Sequence, residues 1–251
     1  MRQLIVFTDL DGTLLDHDSY SWRAAEPAIR RLEELDIPLI LNTSKTFVEV
    51  SQLREELGNR HPFIIENGGG ICIPAGYFSE GAEEARQIFG LPYREIIDIL
   101  ESLRTEKGFN FRGFSDMTAA DVAAVTELSP RDADRAKDRC CSEPIIWMDN
   151  EENFALFCSI LKGHDLQVIS GGRFFHVMGE TDKGRAMQWL LDEFKHTKDS
   201  PLVTIALGDS PNDRPMLERA DHAVVVKSKG ANMTLERIEN VIYPREPGPA
   251  G

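Results

Sequence analysis

The chain has 251 residues, which is long enough for one large domain or two smaller ones with a packed core. Of these residues, 41% are hydrophobic and 28% are charged. Its formal net charge of -14 argues against nucleic acid and anionic membrane surfaces as partners, because both are negatively charged themselves. A phosphorylated substrate would need local positive charge at its binding site to overcome the same repulsion.

The first part of the chain alternates between short apolar runs and segments with helical periodicity. Strands are predicted at 4–7, 38–41 and 63–65, with helices between them at 24–35 and 47–57. Gly58 follows the second helix directly, as is typical of a helix end. Strands separated by helices predict right-handed crossovers and a parallel sheet.

The pattern changes in the middle of the chain, where strands and helices no longer alternate regularly. Pro74 and Gly76 interrupt one alternating segment, and Pro130 stands at a favoured first-turn position of a helix. The predicted elements are a hairpin over 71–78, helices at 93–103 and 129–139, a strand at 145–148 and a hairpin formed by 168–169 and 174–177. This part predicts a separate α+β unit.

The alternation of strand and helix returns after Gly179. A helix is predicted at 182–194, the longest apolar strand at 202–207, a short helix near 215–219 and a strand at 223–226. We therefore predict an α/β fold. A Rossmann-like parallel-sheet core of residues 1–80 and 180–251 would carry an inserted α+β unit at 81–179.

Cysteine usage and the N-terminus both favour a cytoplasmic protein. The four cysteines contain no C-x-x-C pair, which predicts reduced thiols and neither a disulfide framework nor a zinc site. The first residues show no basic stretch followed by the apolar core of a signal peptide. No apolar run reaches the roughly 18 residues of a membrane-spanning helix.

Two carboxylates follow the first strand in the sequence Asp9-Leu10-Asp11-Gly12-Thr13. Residues two apart in an extended chain point to the same side, so Asp9 and Asp11 converge at the carboxyl end of the strand, where open α/β sheets bind ligands. Mg²⁺ would relieve their repulsion, because it takes oxygen ligands from carboxylates and phosphate. A polar strand end with an Asx turn is the alternative.

A second acidic group, Gly208-Asp209-Ser210-Pro211-Asn212-Asp213, follows the most apolar strand and precedes a helix. Alone, this segment is also compatible with an ordinary helix N-cap. Beside the first two carboxylates, Asp209 and Asp213 complete a predicted metal site.

Two further segments predict anion binding at helix starts. Thr43-Ser44-Lys45-Thr46 follows the second strand and offers hydroxyls and backbone N–H groups. Lys183 stands at the start of a later helix and can neutralise phosphate oxygens. An ordinary N-cap and a solvated surface lysine are the respective alternatives.

Together these residues resemble the four ordered motifs of the haloacid dehalogenase-like phosphohydrolases. The matching positions are Asp9-x-Asp11-Gly12-Thr13, Thr43, Lys183 and Gly208-Asp209-x-x-Asn212-Asp213. The resemblance covers roughly residues 1–80 and 180–251, and the insert between the second and third motifs resembles the larger α/β cap of sugar phosphatases.

A finer resemblance points to the mannosyl-3-phosphoglycerate phosphatase branch. It is carried by Glu66-Asn67-Gly68-Gly69-Gly70, by residues 128–139, by Ser142-Glu143-Pro144 and by Gly171-Gly172-Arg173-Phe174-Phe175-His176. One departure stands after Arg139, where an acidic and then an aromatic residue are expected and this chain has Cys140 and Cys141.

The resemblance implies a mechanism and a Mg²⁺ cofactor. Asp9 would be the nucleophile that forms an aspartyl-phosphate, Asp11 the general acid and base, and Thr43 and Lys183 the groups that hold phosphate oxygens. Asp9, the backbone carbonyl of Asp11 and Asp209 would hold Mg²⁺, with Asp213 in a supporting position.

The implied substrate is 2-O-mannosyl-3-phosphoglycerate, a small phosphorylated sugar that also carries a carboxylate. Arginine suits such a carboxylate because a guanidinium binds it with two parallel hydrogen bonds. The predicted substrate-binding residues are Ser44, Lys45, Asn67, Gly68, Gly69, Arg131, Arg139, Gly172 and Arg173. Each arginine is equally compatible with a surface position.

Three alternative functions remain at this point. A phosphomutase would return phosphate from Asp9 to a substrate hydroxyl, whereas a phosphatase gives it to water. A non-catalytic phosphosugar-binding module is expected to have lost Asp9, Asp11 or Lys183, and all three are present. A phosphatase acting on glucosyl-3-phosphoglycerate or another hexose phosphate would carry the same motifs.

Overall fold

The computed structural model describes residues 3–171, 173–197, 200–227, 233–235 and 239–251. The strands in these ranges, β1 to β12, are Gln3–Thr8, Leu39–Asn42, Phe63–Ile65, Gly70–Ile73, Ala85–Ile88, Phe111–Gly113, Ser142–Trp147, Leu166–Gly171, Phe174–Gly179, Leu202–Gly208, His222–Val225 and Val241–Ile242. The α-helices, α1 to α8, are Glu26–Glu34, Phe47–Leu57, Tyr93–Lys107, Ala119–Thr126, Pro130–Ala136, Glu151–Lys162, Lys183–Thr197 and Arg214–Arg219.

The larger of two sheets has the strand order β12-β11-β10-β1-β2-β3-β4-β5. Neighbouring strands are parallel except in the pairs β3–β4 and β4–β5 at one edge, which are antiparallel because β4 runs opposite to the other strands. Phe7 of β1 stands opposite Ala206 of β10 and Ile40 of β2. The loops that follow these three central strands therefore emerge side by side.

Both faces of the central strands β1, β2 and β3 are largely buried, which explains why these strands read as continuous apolar runs. Ile5 and Phe7 of β1 pack on one face against α7 and α8. Val6, between them, points to the other face and packs with residues of α1 and α2. The parallel α/β core predicted from the sequence is confirmed.

The smaller sheet has the order β6-β7-β9-β8 and is entirely antiparallel. Ile145 of β7 packs on one face with α3 and α6. Its neighbour Ile146 and Phe174 of β9 face the other side, where α4 and α5 lie. This second sheet with its own two apolar clusters is the α+β part of the chain.

Several predicted boundaries were wrong. The segment 71–78 is not a hairpin, because β4 ends at Ile73 and pairs with β5 after a long turn region. Pro74 lacks the N–H that would continue the strand, and Gly76 adopts a φ of +71°. Helix α5 ends at Ala136, earlier than expected, while α3 continues to Lys107. Helices α4 and α6 were missed.

The chain passes between the two sheets twice, through residues 89–92 and 180–182. The two connections touch at Gly90 and Gly179, where a Cβ on Gly90 would lie 2.6 Å from the Gly179 Cα. Gly90 also has a φ of +86°, which strongly favours glycine. None of the helices in the ranges given above combines the length and apolar character needed to cross a membrane.

Candidate active site

Three carboxylates meet at the carboxyl end of the larger sheet. Asp9 follows β1, Asp209 follows the adjacent β10, and Asp213 ends the short 3-10 turn after Asp209. Their carboxylate oxygens lie within 4.8 Å of one another, and all three residues are buried. The predicted convergence of the first and last motifs is therefore present in the structure.

Lys183 joins two of these carboxylates from the start of α7. Its Nζ lies 2.6 Å from Asp9 Oδ1 and 2.5 Å from Asp213 Oδ1. The side chain is fully buried, so the alternative of a solvated surface lysine is wrong. Asn42, at the end of β2, donates a hydrogen bond of 3.0 Å to the Lys183 carbonyl and helps fix the start of the helix.

The electrostatics of this cluster favour an added cation. Burial and, next, the charge of Asp213 raise the pKa of Asp9 to about 8, although Lys183 acts in the opposite direction. Burial alone would lower the pKa of Lys183, but Asp213 and Asp9 bring it above its ordinary value. Three carboxylates around one ammonium leave an excess of negative charge, and their oxygen donors fit a hard divalent ion such as Mg²⁺.

The three carboxylates are not equivalent as metal ligands. Asp213 Oδ1 contacts Lys183, while Oδ2 accepts hydrogen bonds from the N–H groups of Asp209 and Ser210, both at 3.1 Å. Both Asp213 oxygens are thus engaged in holding the loop and the lysine. Asp9 and Asp209 are better placed to hold a metal ion directly.

Gly12 shapes the loop that brings Asp209 against Asp9. Its φ is +79°, and a Cβ at this position would lie 2.5 Å from Asp209 Oδ2. A side chain here would both strain the backbone and displace a carboxylate of the cluster. Glycine at this motif position therefore follows from close packing.

Asp11 lies at the edge of the cluster and is paired with Lys45. The Lys45 Nζ is 2.8 Å from Asp11 Oδ2, whereas Asp11 Oδ1 is buried and accepts no hydrogen bond from the described residues. Burial alone would lower the pKa of Lys45, but Asp11 and Glu49 raise it above its ordinary value. Lys45 thus brings a positive charge to the site beside Asp11.

Thr43 and Ser44 follow β2 and differ in position. Thr43 is buried, and its Oγ1 accepts a hydrogen bond of 3.2 Å from the Lys45 N–H. The last residue of the same segment, Thr46, is the N-cap of α2, so the alternative of an ordinary N-cap for this segment is confirmed at Thr46. Ser44 reaches the surface of the cavity described next.

A cavity of about 320 Å³ lies between the carboxyl end of the larger sheet and the smaller sheet. The motif residues that line it are Asp9, Asp11, Ser44, Lys45, Asp209, Ser210 and Asn212. Its other wall includes Phe114, Thr126, Leu128, Arg139, Pro144, Gly171, Arg173, Phe174 and His176. The acidic cluster therefore opens into a space large enough for a small metabolite.

Asn67, Gly68 and Gly69 lie in the loop after β3 and do not line this cavity. Asn67 Oδ1 accepts a hydrogen bond of 3.0 Å from Asn212 Nδ2, and the Gly68 carbonyl accepts one of 3.2 Å from the Thr181 hydroxyl. In this structure the loop therefore holds other parts of the site together.

The predicted arginines occupy different environments. Arg173 lines the cavity while pairing with the exposed Glu127 at 3.3 Å. Arg131 is exposed on α5 and lies outside the cavity. Gly172 falls outside the described residues.

Arg139 also lines the cavity, but its guanidinium is tied to protein atoms. It donates to the Ser44 carbonyl at 3.1 Å and to the Ser142 carbonyl at 2.9 Å, and lies 3.5 Å from Glu66. It therefore joins the loop after β2 to the segment that leads into β7.

Sequence reasoning missed His176, Phe174 and Tyr20, which also line the cavity. Phe174 and His176 are two apart on β9, so they share a face of the smaller sheet. Alternation along a predicted strand gives this shared face, but it does not reveal that the face borders the cavity. Tyr20 belongs to the loop after Asp11, whose path no pattern predicted.

The haloacid dehalogenase-like hydrolase family matches residues 6–236 of the chain. The chain is 42% identical over 230 residues to a glucosyl-3-phosphoglycerate/mannosyl-3-phosphoglycerate phosphatase of Methanococcoides burtonii, covering 89% of this chain and 84% of the relative. It is 35% identical over 255 residues to a protein of the same name from Persephonella marina, covering 99% and 94%.

Solved structures agree on the fold. A crystal structure of a haloacid dehalogenase-like hydrolase from Bacteroides thetaiotaomicron superposes with a TM-score of 0.63 at 19% identity, covering 91% of this chain and 90% of that one. With its family match and its two related phosphatases, the chain belongs to the haloacid dehalogenase-like hydrolase family and is a phosphoric monoester hydrolase.

Proposed function

We propose that the protein is a Mg²⁺-dependent phosphatase that hydrolyses 2-O-mannosyl-3-phosphoglycerate to mannosylglycerate and phosphate in the cytoplasm. The observation that carries the proposal is the buried Asp9 carboxylate, held 2.6 Å from Lys183 beside Asp209 and Asp213, at one end of a cavity of about 320 Å³. The names of the related phosphatases support the substrate class.

In the proposed mechanism, a carboxylate oxygen of Asp9 attacks the phosphorus atom and the ester bond to the substrate oxygen breaks. Asp11 gives its proton to the leaving alkoxide, then takes a proton from the water that attacks the aspartyl-phosphate. The second step releases inorganic phosphate and restores Asp9.

Positive charge must hold the phosphate oxygens during both steps, because Asp9 attacks as a carboxylate, the form that its raised pKa disfavours without an added cation. Lys183 lies next to Asp9 and Lys45 next to Asp11, so both proposed reacting carboxylates have an ammonium neighbour. Thr43, whose Oγ1 accepts a hydrogen bond from the Lys45 N–H, is likewise proposed to hold a phosphate oxygen. A Mg²⁺ held by Asp9, Asp209 and the Asp11 carbonyl would neutralise charge on the phosphate.

The rest of the substrate is proposed to lie against the smaller sheet, which we assign to a specificity cap. We propose that this cap begins after β5, a few residues later than the predicted start of the insert at 81–179, since the pairing of β5 within the larger sheet supports a later start. Ser44, Lys45, Arg139 and Arg173 line the cavity and are the proposed contacts for the phosphate and the carboxylate. Arg131 and the loop of Asn67, Gly68 and Gly69 are proposed to act from outside the cavity.

Glucosyl-3-phosphoglycerate is a second candidate substrate. Both related phosphatases carry both sugars in their names, which supports activity on either glycosyl unit.

The test is phosphate release from mannosyl- and glucosyl-3-phosphoglycerate and other sugar phosphates, with Mg²⁺ and with EDTA. We expect release to require the metal and to fall by at least about 1000-fold in Asp9→Asn, since the nucleophile is lost. Asp98→Asn, on the exposed surface of α3, is the matched control and should retain full activity.

Three outcomes separate the proposals. Metal-dependent release from either glycosyl-phosphoglycerate supports the phosphatase and its substrate. Release from unrelated sugar phosphates alone keeps the mechanism and rejects the substrate. No release of free phosphate from any of these substrates contradicts the proposed phosphatase activity.

A further inference from the structure

His176 presents a buried imidazole to the cavity from the smaller sheet. The residue is 6% exposed and lines the cavity together with Phe174, its neighbour on the same face of β9. Phe174 is held in place by an edge-to-face contact with Phe114, with ring centroids 5.1 Å apart. A polar ring and an aromatic ring therefore stand side by side on the cavity wall.

The His176 imidazole has unused hydrogen-bonding capacity. Its Nδ1 is buried and makes no hydrogen bond with any described residue. Gly171 lies against the opposite edge of the ring, where a Cβ would come within 3.1 Å of Nε2. Because a buried polar atom without a partner is costly, the missing partner is expected to come from a ligand.

The surroundings keep this ring neutral. Burial, and then the charges of Arg139 and Lys183, lower the pKa of His176 to about 3. A neutral imidazole has one donor and one acceptor, which matches the donor and acceptor of a hydroxyl group. The anionic groups of the substrate are instead served by the lysines and arginines of the same cavity.

We infer that His176 is a specificity-determining residue that hydrogen-bonds a hydroxyl of the glycosyl unit, while the Phe174 ring packs against the sugar. This inference rests on the proposed function, because it assigns a part of the proposed substrate to this wall. Pockets for small ligands commonly combine apolar surface with a few placed polar groups in this way.

The test compares two substrates on the full-length enzyme with Mg²⁺. In His176→Leu we expect kcat/KM for mannosyl-3-phosphoglycerate to fall about 10-fold or more, with that for p-nitrophenyl phosphate, which has no sugar, unchanged within about twofold. His176→Gln, which keeps a donor and an acceptor, should recover part of the loss. His164→Leu, at an exposed histidine of the same α+β part, is the control.

The possible failures are distinguishable. Equal losses on both substrates would mean that His176 acts only through folding, and no loss on either would also overturn the inference. If the wild-type enzyme releases phosphate from p-nitrophenyl phosphate but from no glycosylated phosphate, the proposed substrate class is wrong and the inference falls with it.

Discussion

At the scale of single residues, the site is a set of charges that hold one another in place. Lys183 is fully buried between Asp9 and Asp213, and Asp213 in turn holds the backbone of Asp209 and Ser210. A buried charge of this kind is stable only when its partner is present. The identity of each motif residue therefore depends on the others.

Gly12 offers a direct test of this packing. Gly12→Ala should lower the free energy of unfolding by about 1 kcal/mol, because its φ is positive. It should also reduce kcat/KM roughly 100-fold, because the new methyl group collides with Asp209 Oδ2 and displaces a carboxylate of the cluster. Urea denaturation and phosphate release measure the two effects.

Gly76→Ala is the matched control for Gly12→Ala. Gly76 has a similar φ of +71°, but a Cβ there would meet nothing within 4 Å. We expect the same loss of stability with no loss of activity. Equal activity in the two variants would contradict the proposed role of the Gly12 packing.

At the scale of elements, one carboxylate connects the two sheets. Glu66 follows β3 of the larger sheet and accepts hydrogen bonds from the Cys140 N–H at 2.8 Å and the Ser142 hydroxyl at 2.7 Å. Arg139 lies 3.5 Å away. Most of these contacts use backbone atoms or the Ser142 side chain. They therefore do not depend on the side chains at positions 140 and 141, where this chain has cysteines instead of the expected acidic and aromatic residues. Both Glu66 oxygens already accept hydrogen bonds from these donors, so we interpret Glu66 as a residue that holds the larger sheet against the segment leading into β7.

Glu66→Gln should therefore destabilise the protein by about 3 kcal/mol, because it leaves Arg139 buried without its counter-charge. Glu34→Gln is the control, since its pair with Arg31 is exposed and worth less than about 0.5 kcal/mol. Urea denaturation measures both. A change in Glu66→Gln no larger than in the control would contradict this assignment.

The same variant should show an altered acid dependence. Burial alone would raise the pKa of Glu66, but Arg139 and the N–H of Cys140 bring it below its ordinary value of 4.5. A lowered carboxylate pKa adds stability above that value, which is lost as the pH falls through the folded-state pKa. The difference between wild type and Glu66→Gln should thus shrink below about pH 4.5.

Sequence reasoning reached the core elements because their signals are local. Helix α2 was predicted with both ends correct, because Gly58 ends it in a left-handed conformation. The acidic motifs were placed correctly because each directly follows a strand, β1 or β10. Glu66 and His176 stand in motifs that carried the resemblance, but those motifs did not indicate what either residue contacts. Their roles depend on contacts with chain segments far away in sequence, which no local pattern encodes.

At the scale of the whole molecule, the protein has a formal net charge of -14, but its cavity is lined by the basic side chains of Lys45, Arg139 and Arg173. The cavity lies between two parts of the chain, and among the described ranges the backbone passes from one part to the other only through residues 89–92 and 180–182. Closing one part on the other would exclude water from the reacting phosphate, which strengthens the electrostatic interactions there.

We predict that the two parts close when a phosphate analogue binds. Small-angle scattering should show a smaller radius of gyration with Mg²⁺ and orthovanadate than with Mg²⁺ alone. Gly90→Ala should reduce this change, because its Cβ would press on Gly179 where the two connections touch.

Gly108→Ala is the control for this experiment, since Gly108 has a positive φ but an open surrounding. The radius of gyration of Gly108→Ala should decrease on adding orthovanadate as much as that of the wild type. An unchanged radius of gyration in the wild type on adding orthovanadate would contradict the closure.

The contact between the two connections, at Gly90 and Gly179, has a consequence for how the protein can evolve. A unit whose entry and exit points touch can be inserted into a loop, or replaced by another unit, without moving the strands on either side. The sheet that carries the carboxylates would keep its chemistry through such an exchange, and only the wall facing the substrate would change. Replacing this one unit would therefore change which substrates can be bound while leaving the reaction itself unchanged.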